Sequence, residues 1–139
     1  METGIEELKR QFHLQNSDLR TYSPLVLAYI GDGVYDLVIR TILVRRGNCP
    51  VNKLHKKASS LVKAGAQSAM MERLEPVLTE EELSIYKRGR NAHSPTMAKH
   101  ATVSDYRRAT GFEALIGYLY LKEDFSRITE LVRLGLPEL

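Results

Sequence analysis

Apolar residues recur at helical spacing through almost the whole chain, and no stretch alternates with period two for long enough to make a strand. The pattern predicts an all-α protein of about six helices. Ile5, Leu8 and Phe12 place a short amphipathic helix over Gly4–Phe12. Ser23 as N-cap, Pro24 in the first turn and Gly47 after two arginines bracket a long helix. Asn52 is positioned to cap a third helix running to about Leu74, with Leu54, Ala58, Leu61, Val62, Ala66, Ala69 and Met70 inward and Pro76 ending it. Thr79 and Glu82 form a capping box that opens a short helix through Ile85 and Tyr86, ending in KRGRN. Residues 92–102 read as an ordered loop. Thr102 or Ser104 then caps a helix from about Val103 to Lys122, and Asp124 caps a last one through Leu134.

The segment Ser23–Gly47 departs from amphipathic patterning. Wound as a helix it is apolar on almost every side, as expected for a central, buried element. Asp32, Asp36 and Arg40 alone interrupt it, on an arc of roughly 80°. A carboxylate in such a helix is costly unless it is paired or holds a metal. Asp36 and Arg40 stand i,i+4 and suit a structural pair, which could also absorb Asp32. The helix DYRRATGFEALIGYLYL repeats the conflict, with Glu113 in the middle of an apolar run. Gly31 and Gly33 flank Asp32, and Gly117 lies one turn beyond Glu113. Glycine inside a helix costs about 1 kcal/mol relative to alanine, but it lets another backbone come close. If the two helices cross there, Asp32 and Glu113 face each other. Two facing carboxylates serve either general acid–base chemistry or Mg²⁺, which takes one or two carboxylates and leaves its other positions to water and phosphate.

Charge favours the second use. The 139-residue chain is only +3 overall, yet Leu83–Arg108 holds Lys87, Arg88, Arg90, Lys99, Arg107 and Arg108 against the single acid Asp105. KRGRNAHS is the sharpest basic element, and Lys53, Lys56 and Lys57 add a basic helix face. Either cluster can be a solvated surface or a helix end answering its macrodipole; together they suit a polyanion whose backbone is read by shape, such as double-stranded RNA.

The remaining composition narrows the class. Hydrophobic residues at 43% and charged residues at 27% describe an ordinary globular chain, expected to form a single domain over 1–139. The lone Cys49 excludes an intrachain disulfide framework, and the N-terminus has no apolar signal core, so a cytoplasmic setting is expected. His13, His55, His93 and His100 lack zinc spacing, and neither GxxxxGK[ST] nor GxGxxG occurs.

YIGDGVYDLVIR at 29–40 resembles the first signature of the ribonuclease III family, and TGFEALIGYLYL at 110–121 resembles its second. LHKKAS at 54–59 and KRGRNAHS at 87–94 look like the Mini-III branch, which lacks a double-stranded-RNA-binding domain. The resemblance runs from about Tyr22 to Leu134. It implies the all-α ribonuclease III endonuclease-domain bundle acting as a homodimer, with Asp32 and Glu113 as catalytic carboxylates binding Mg²⁺, for which Mn²⁺ can substitute. It further implies cleavage of double-stranded RNA, maturation of precursor 23S ribosomal RNA ends in ribosome biogenesis, and assistance from a large-subunit ribosomal protein. Lys53, Lys56, Lys57, Lys87, Arg88, Arg90, Asn91 and Lys99 would then hold the duplex. The larger enzymes carry acids at positions matching Ala28 and Thr110, so a second metal would be held less firmly here. Two other readings follow from the residues. One is a catalytically inactive ribonuclease III-like fold that binds RNA in a ribosomal particle. The other is an all-α nucleotide phosphohydrolase, for which Glu72 and Glu75 have the spacing but sit solvent-facing near a helix end.

Overall fold

The computed structural model describes residues 2–92 and 102–137. Among them are seven α-helices and no strand: α1 (Glu2–Phe12), α2 (Pro24–Arg45), α3 (Val51–Val62), α4 (Ala64–Leu74), α5 (Glu80–Asn91), α6 (Val103–Leu121) and α7 (Phe125–Gly135). Short 3-10 turns at Leu19–Thr21 and Glu75–Val77 precede α2 and α5. Most of the loop expected at 92–102 lies outside the described residues, as do His93, Ser94, Lys99 and His100.

Local sequence accounts for most boundaries. Ser23 Oγ accepts from Leu25 N–H at the start of α2, and Gly47, at φ +152°, takes the chain away after its end. The capping box is complete: Thr79 Oγ1 accepts from the Glu82 N–H, and Glu82 Oε1 from the Thr79 N–H. Thr102 and Asp124 cap α6 and α7.

Four expectations are corrected. The helix drawn from Asn52 to Leu74 is two, because Lys63 is extended (φ −66°, ψ 157°) and turns the chain. Pro50, with its fixed φ, stands at the N-cap of α3 in place of Asn52. Of the apolar residues of α1, Ile5 is buried, whereas Leu8 and Phe12 are exposed. Helix α2, expected to be buried all round, leaves Val26, Tyr29, Leu37 and Val44 more than half exposed. It packs on α6, α3 and α5, which cover only one side of it.

The α2–α6 pair is the centre of the molecule, with α5 and α4 laid on α6, α3 on α2, and α7 closing over α4 and α6. Tyr35 meets Phe112 edge-on, ring centroids 5.0 Å apart, and donates its hydroxyl proton to Leu61 O at 3.0 Å. Arg127 reaches from α7 to both carboxylate oxygens of the buried Glu82 at 2.8 Å and to Val77 O at 2.9 Å, so the capping box also ties α5 to α7.

Candidate active site

Two glycines set the geometry of the site. A Cβ on Gly31 would stand 1.7 Å from the Glu113 carbonyl oxygen, and one on Gly117 would stand 1.9 Å from Leu27 O. No side chain fits between α2 and α6 at either point, so the helices cross backbone to backbone. Gly33 plays no part in this contact: nothing lies within 4 Å of its would-be Cβ.

The crossing brings the Asp32 and Glu113 carboxyls close enough to interact. Asp32 is exposed and Glu113 largely covered, so the pair has an open face and a buried one. Burial raises the Glu113 carboxyl from its ordinary 4.5 to about 8. The hydrogen bond with Asp32 and the charge of Asp32 push the same way, and a hydrogen bond from Gln67 opposes them. Two carboxylates in contact repel unless a proton or a cation lies between them.

Asp36 lies outside this pair. It binds Arg40 at 2.9 Å across one turn on a largely exposed surface, as the i,i+4 spacing predicts. Ala28 and Thr110, the positions that the sequence resemblance matches to further acids, are both buried. The Thr110 hydroxyl donates to Tyr106 O within its own helix at 3.0 Å, and neither position carries a carboxylate. Among the described residues no group of three or more His, Cys, Asp or Glu gathers to hold a metal. Glu72 is exposed and pairs with Arg108, and Glu75 is also exposed, away from any inward acid cluster.

The Ribonuclease III domain model matches residues 25–124, a span that contains both carboxylates and the helix crossing. The chain belongs to the ribonuclease III family. Its Mini-ribonuclease 3 branch supplies similar relatives. The protein of that name from Clostridium tetani is 51% identical over 118 residues, covering 84% of this chain and 78% of its own. That from Thermoanaerobacter is 49% identical over 128 residues, covering 88% and 90%. A crystal structure of a Fusobacterium nucleatum protein superposes with a TM-score of 0.78 at 33% identity, covering 85% of this chain and 96% of that one. The protein is therefore an endoribonuclease of the ribonuclease III type.

Within this ribonuclease III domain the predicted basic residues lie on two elements. Lys53, Lys56 and Lys57 are exposed on α3 and, with Arg46, Cys49 and Ser60, line a groove of about 710 Å³ at the end of α2. Lys87, Arg88 and Asn91 are exposed at the end of α5, where Arg90 lies over the Tyr86 ring at 5.7 Å and Arg88 donates to Tyr22 O at 3.4 Å. Gly89, inside this basic run, lets α5 close on α6: its Cβ would lie 2.9 Å from Gly111 Cα. Lys99 falls outside the described residues.

Gln67 was missed by sequence reasoning. It is 2% exposed on α4, beside the Glu113 carboxyl. Gln67, Met70, Met71 and Leu74 form an i, i+3, i+4, i+7 face with one polar member, a face that emerges only when α4 is phased by itself. Treating α3 and α4 as one continuous helix shifts that face onto Ala66 and Ala69.

Proposed function

We propose that this ribonuclease is a Mg²⁺-dependent endonuclease specific for double-stranded RNA, with Asp32 and Glu113 as its metal-binding catalytic pair. The observation that carries the reading is the contact of those two carboxyls at a crossing that only Gly31 and Gly117 allow. Three features of the site fit a divalent ion. The pair would hold a cation where it otherwise holds a proton; Asp32 opens to solvent, where a phosphate can approach; and the buried Gln67 Oε1 has no hydrogen-bond partner. Two carboxylates with the remainder left to water and phosphate are the donor set Mg²⁺ accepts, and Mn²⁺ suits the same oxygen ligands. When bound, the ion supplies an activated water and stabilises the leaving oxygen of the phosphodiester.

The chain's own residues do the rest. Asp32 offers its carboxylate from the open side, and Glu113 fixes the depth of the site from the buried side. Lys53, Lys56 and Lys57 on α3, with Lys87, Arg88, Arg90 and Asn91 on α5, neutralise duplex phosphates, and Lys99 joins them. Such contacts follow backbone shape, which suits A-form RNA better than single strands.

The enzyme works as a homodimer. Support comes from the exposed apolar face of α2 and an open groove of about 1220 Å³ between α2 and α7, lined by Ile30, Leu37, Ile42, Phe125, Val132 and Leu136. An apolar surface of that kind on a central helix marks an interface. Two copies would bring two sites to one duplex, each cutting one strand. The motif resemblance points to precursor 23S ribosomal RNA ends in the cytoplasm as the cellular substrate, presented with help from a large-subunit ribosomal protein. Among the described residues no helix is long and apolar enough to cross a membrane.

The test offers the protein a long RNA duplex, its separated strands and a DNA duplex of the same sequence, each with Mg²⁺, Mn²⁺ or EDTA. The expected result is staggered cleavage of the RNA duplex alone, and only with a metal. Equal cleavage of single strands, or cutting in EDTA, overturns the proposal.

A further inference from the structure

Gln67 is 2% exposed, an amide placed where its helix otherwise buries Met70, Met71 and Leu74. A leucine would fill that position with no polar group to satisfy, so the amide calls for an account. Half of it is structural. The chain breaks at Lys63, so the carbonyl of Val62 at the end of α3 loses its helical donor, and Gln67 Nε2 donates to it at 2.9 Å. The same amide is close enough to the Glu113 carboxyl to favour its charged form. The oxygen remains: Gln67 Oε1 is buried with no hydrogen-bond partner in the protein. Because Oε1 and Nε2 belong to one small planar amide, this orphaned acceptor lies beside the same carboxyl.

A buried acceptor without a donor is uncommon and expensive, and it is satisfied when a water enters the site. Mg²⁺ keeps several of its waters when it binds through only one or two carboxylates, and those waters are donors that need acceptors. Asp32 and Glu113 are the carboxylates on offer, the Thr110 hydroxyl has its proton committed to Tyr106 O, and Ala28 has no polar side chain. Gln67 Oε1 is a buried acceptor that no donor of the protein satisfies.

We infer that Gln67 is a positioning residue of the metal site: one amide proton orients the Glu113 carboxylate, the other fastens α4 to the end of α3, and Oε1 receives a hydrogen bond from a water carried by the metal. The inference rests on the reading of Asp32 and Glu113 as metal ligands. It gives the α3–α4 break a purpose, since the same amide that repairs the broken helix sets the buried wall of the site. Groups that orient a ligand in this way change metal affinity or activity by about 10–100-fold when removed.

The test titrates Mn²⁺ alone into the full chain without RNA, following the free-ion paramagnetic resonance signal, for wild type, Gln67→Met, Gln67→Glu, Asp32→Asn and Glu113→Gln. Thermal unfolding over a range of Mn²⁺ concentrations gives a second readout, because a ligand that binds only the native state raises Tm even in a weakened variant. Gln67→Met keeps the length and removes the amide. It is expected to lower Mn²⁺ affinity about 10–100-fold and to lower kcat on an RNA duplex while KM for the duplex stays put. Gln67→Glu restores acceptor oxygens with added charge and is expected to recover Mn²⁺ binding beyond the Met variant. A merely structural Gln67 moves Tm in EDTA and leaves both Mn²⁺ affinity and the split between kcat and KM unchanged. If both Gln67 variants bind Mn²⁺ like wild type while Asp32→Asn and Glu113→Gln do not, the inference falls and the carboxylate reading stands. If all four variants bind like wild type, the carboxylate reading falls and takes the inference with it.

Discussion

Glu113 makes the stability of the metal-free protein depend on pH in an unusual direction. Its carboxyl titrates near 8 in the folded chain, against an ordinary 4.5. Below about 4.5 it is protonated folded or unfolded and shifts nothing. Between there and about 8 the unfolded chain releases the proton and the folded chain keeps it, so this group's contribution to stability falls as pH rises and is fully lost above 8. In EDTA, Tm is expected to decline from pH 5 to 8 in the wild type, and Glu113→Gln is expected to remove that component and to be the more stable protein at pH 8. Identical pH profiles for the two proteins would contradict the burial argument. Added Mg²⁺ should reverse the trend, because the ion competes with the proton for the same oxygens. Asp32 and Glu113 were legible in the sequence because an acid within an apolar run conflicts with its surroundings. Gln67 was not, because its place on the inner face depends on the phase of α4, which the break at Lys63 resets.

At the scale of elements, the α2–α6 crossing decides whether a site exists. A methyl group on Gly31 would meet the Glu113 carbonyl oxygen at 1.7 Å, and backbone cannot give way as a side chain can. Gly31→Ala is therefore expected to destabilise the protein by at least the 1–3 kcal/mol typical of overpacking, offsetting the roughly 1 kcal/mol that alanine gains in helix propensity. Duplex cleavage should fall further than the lost stability explains, since moving the helices apart separates the two carboxyls. Denaturant unfolding and cleavage at a temperature where the variant is fully folded measure the two effects separately. The boundaries of most helices were readable because Ser23, Thr79, Thr102 and Asp124 each cap the helix they precede. The α3–α4 break was not, because no Pro or strong cap marks Lys63. The bond from Gln67 to Val62 O that accompanies the break comes from tertiary placement.

For the whole molecule, the apolar pattern of Ser23–Gly47 foretold a buried α2, and the fold exposes one face of it. The residues concerned, Val26, Leu37 and Val44 with Tyr29 beside them, recur at helical spacing along one stripe. No pattern in a single chain tells an interior stripe from one that a second copy covers. Leu37→Glu places a charge in the middle of this face and is expected to yield monomers by sedimentation while leaving the helical circular dichroism intact. Dimers of undiminished affinity would place the subunit contact elsewhere. The basic residues act at this scale as well. Replacing Lys87, Arg88 and Arg90 together by alanine is expected to weaken duplex binding and flatten its dependence on salt. Unchanged affinity and slope would leave that cluster as the end of a helix and no more. The claim on which all of this turns is that Asp32 and Glu113 together hold the ion that cuts RNA. The most direct measurement is single-turnover cleavage of a long RNA duplex by wild type, Asp32→Asn and Glu113→Gln at saturating Mg²⁺, with duplex binding followed in the same samples. Each substitution is expected to abolish cleavage while binding persists; cleavage at the wild-type rate by either variant would contradict the assignment of this pair.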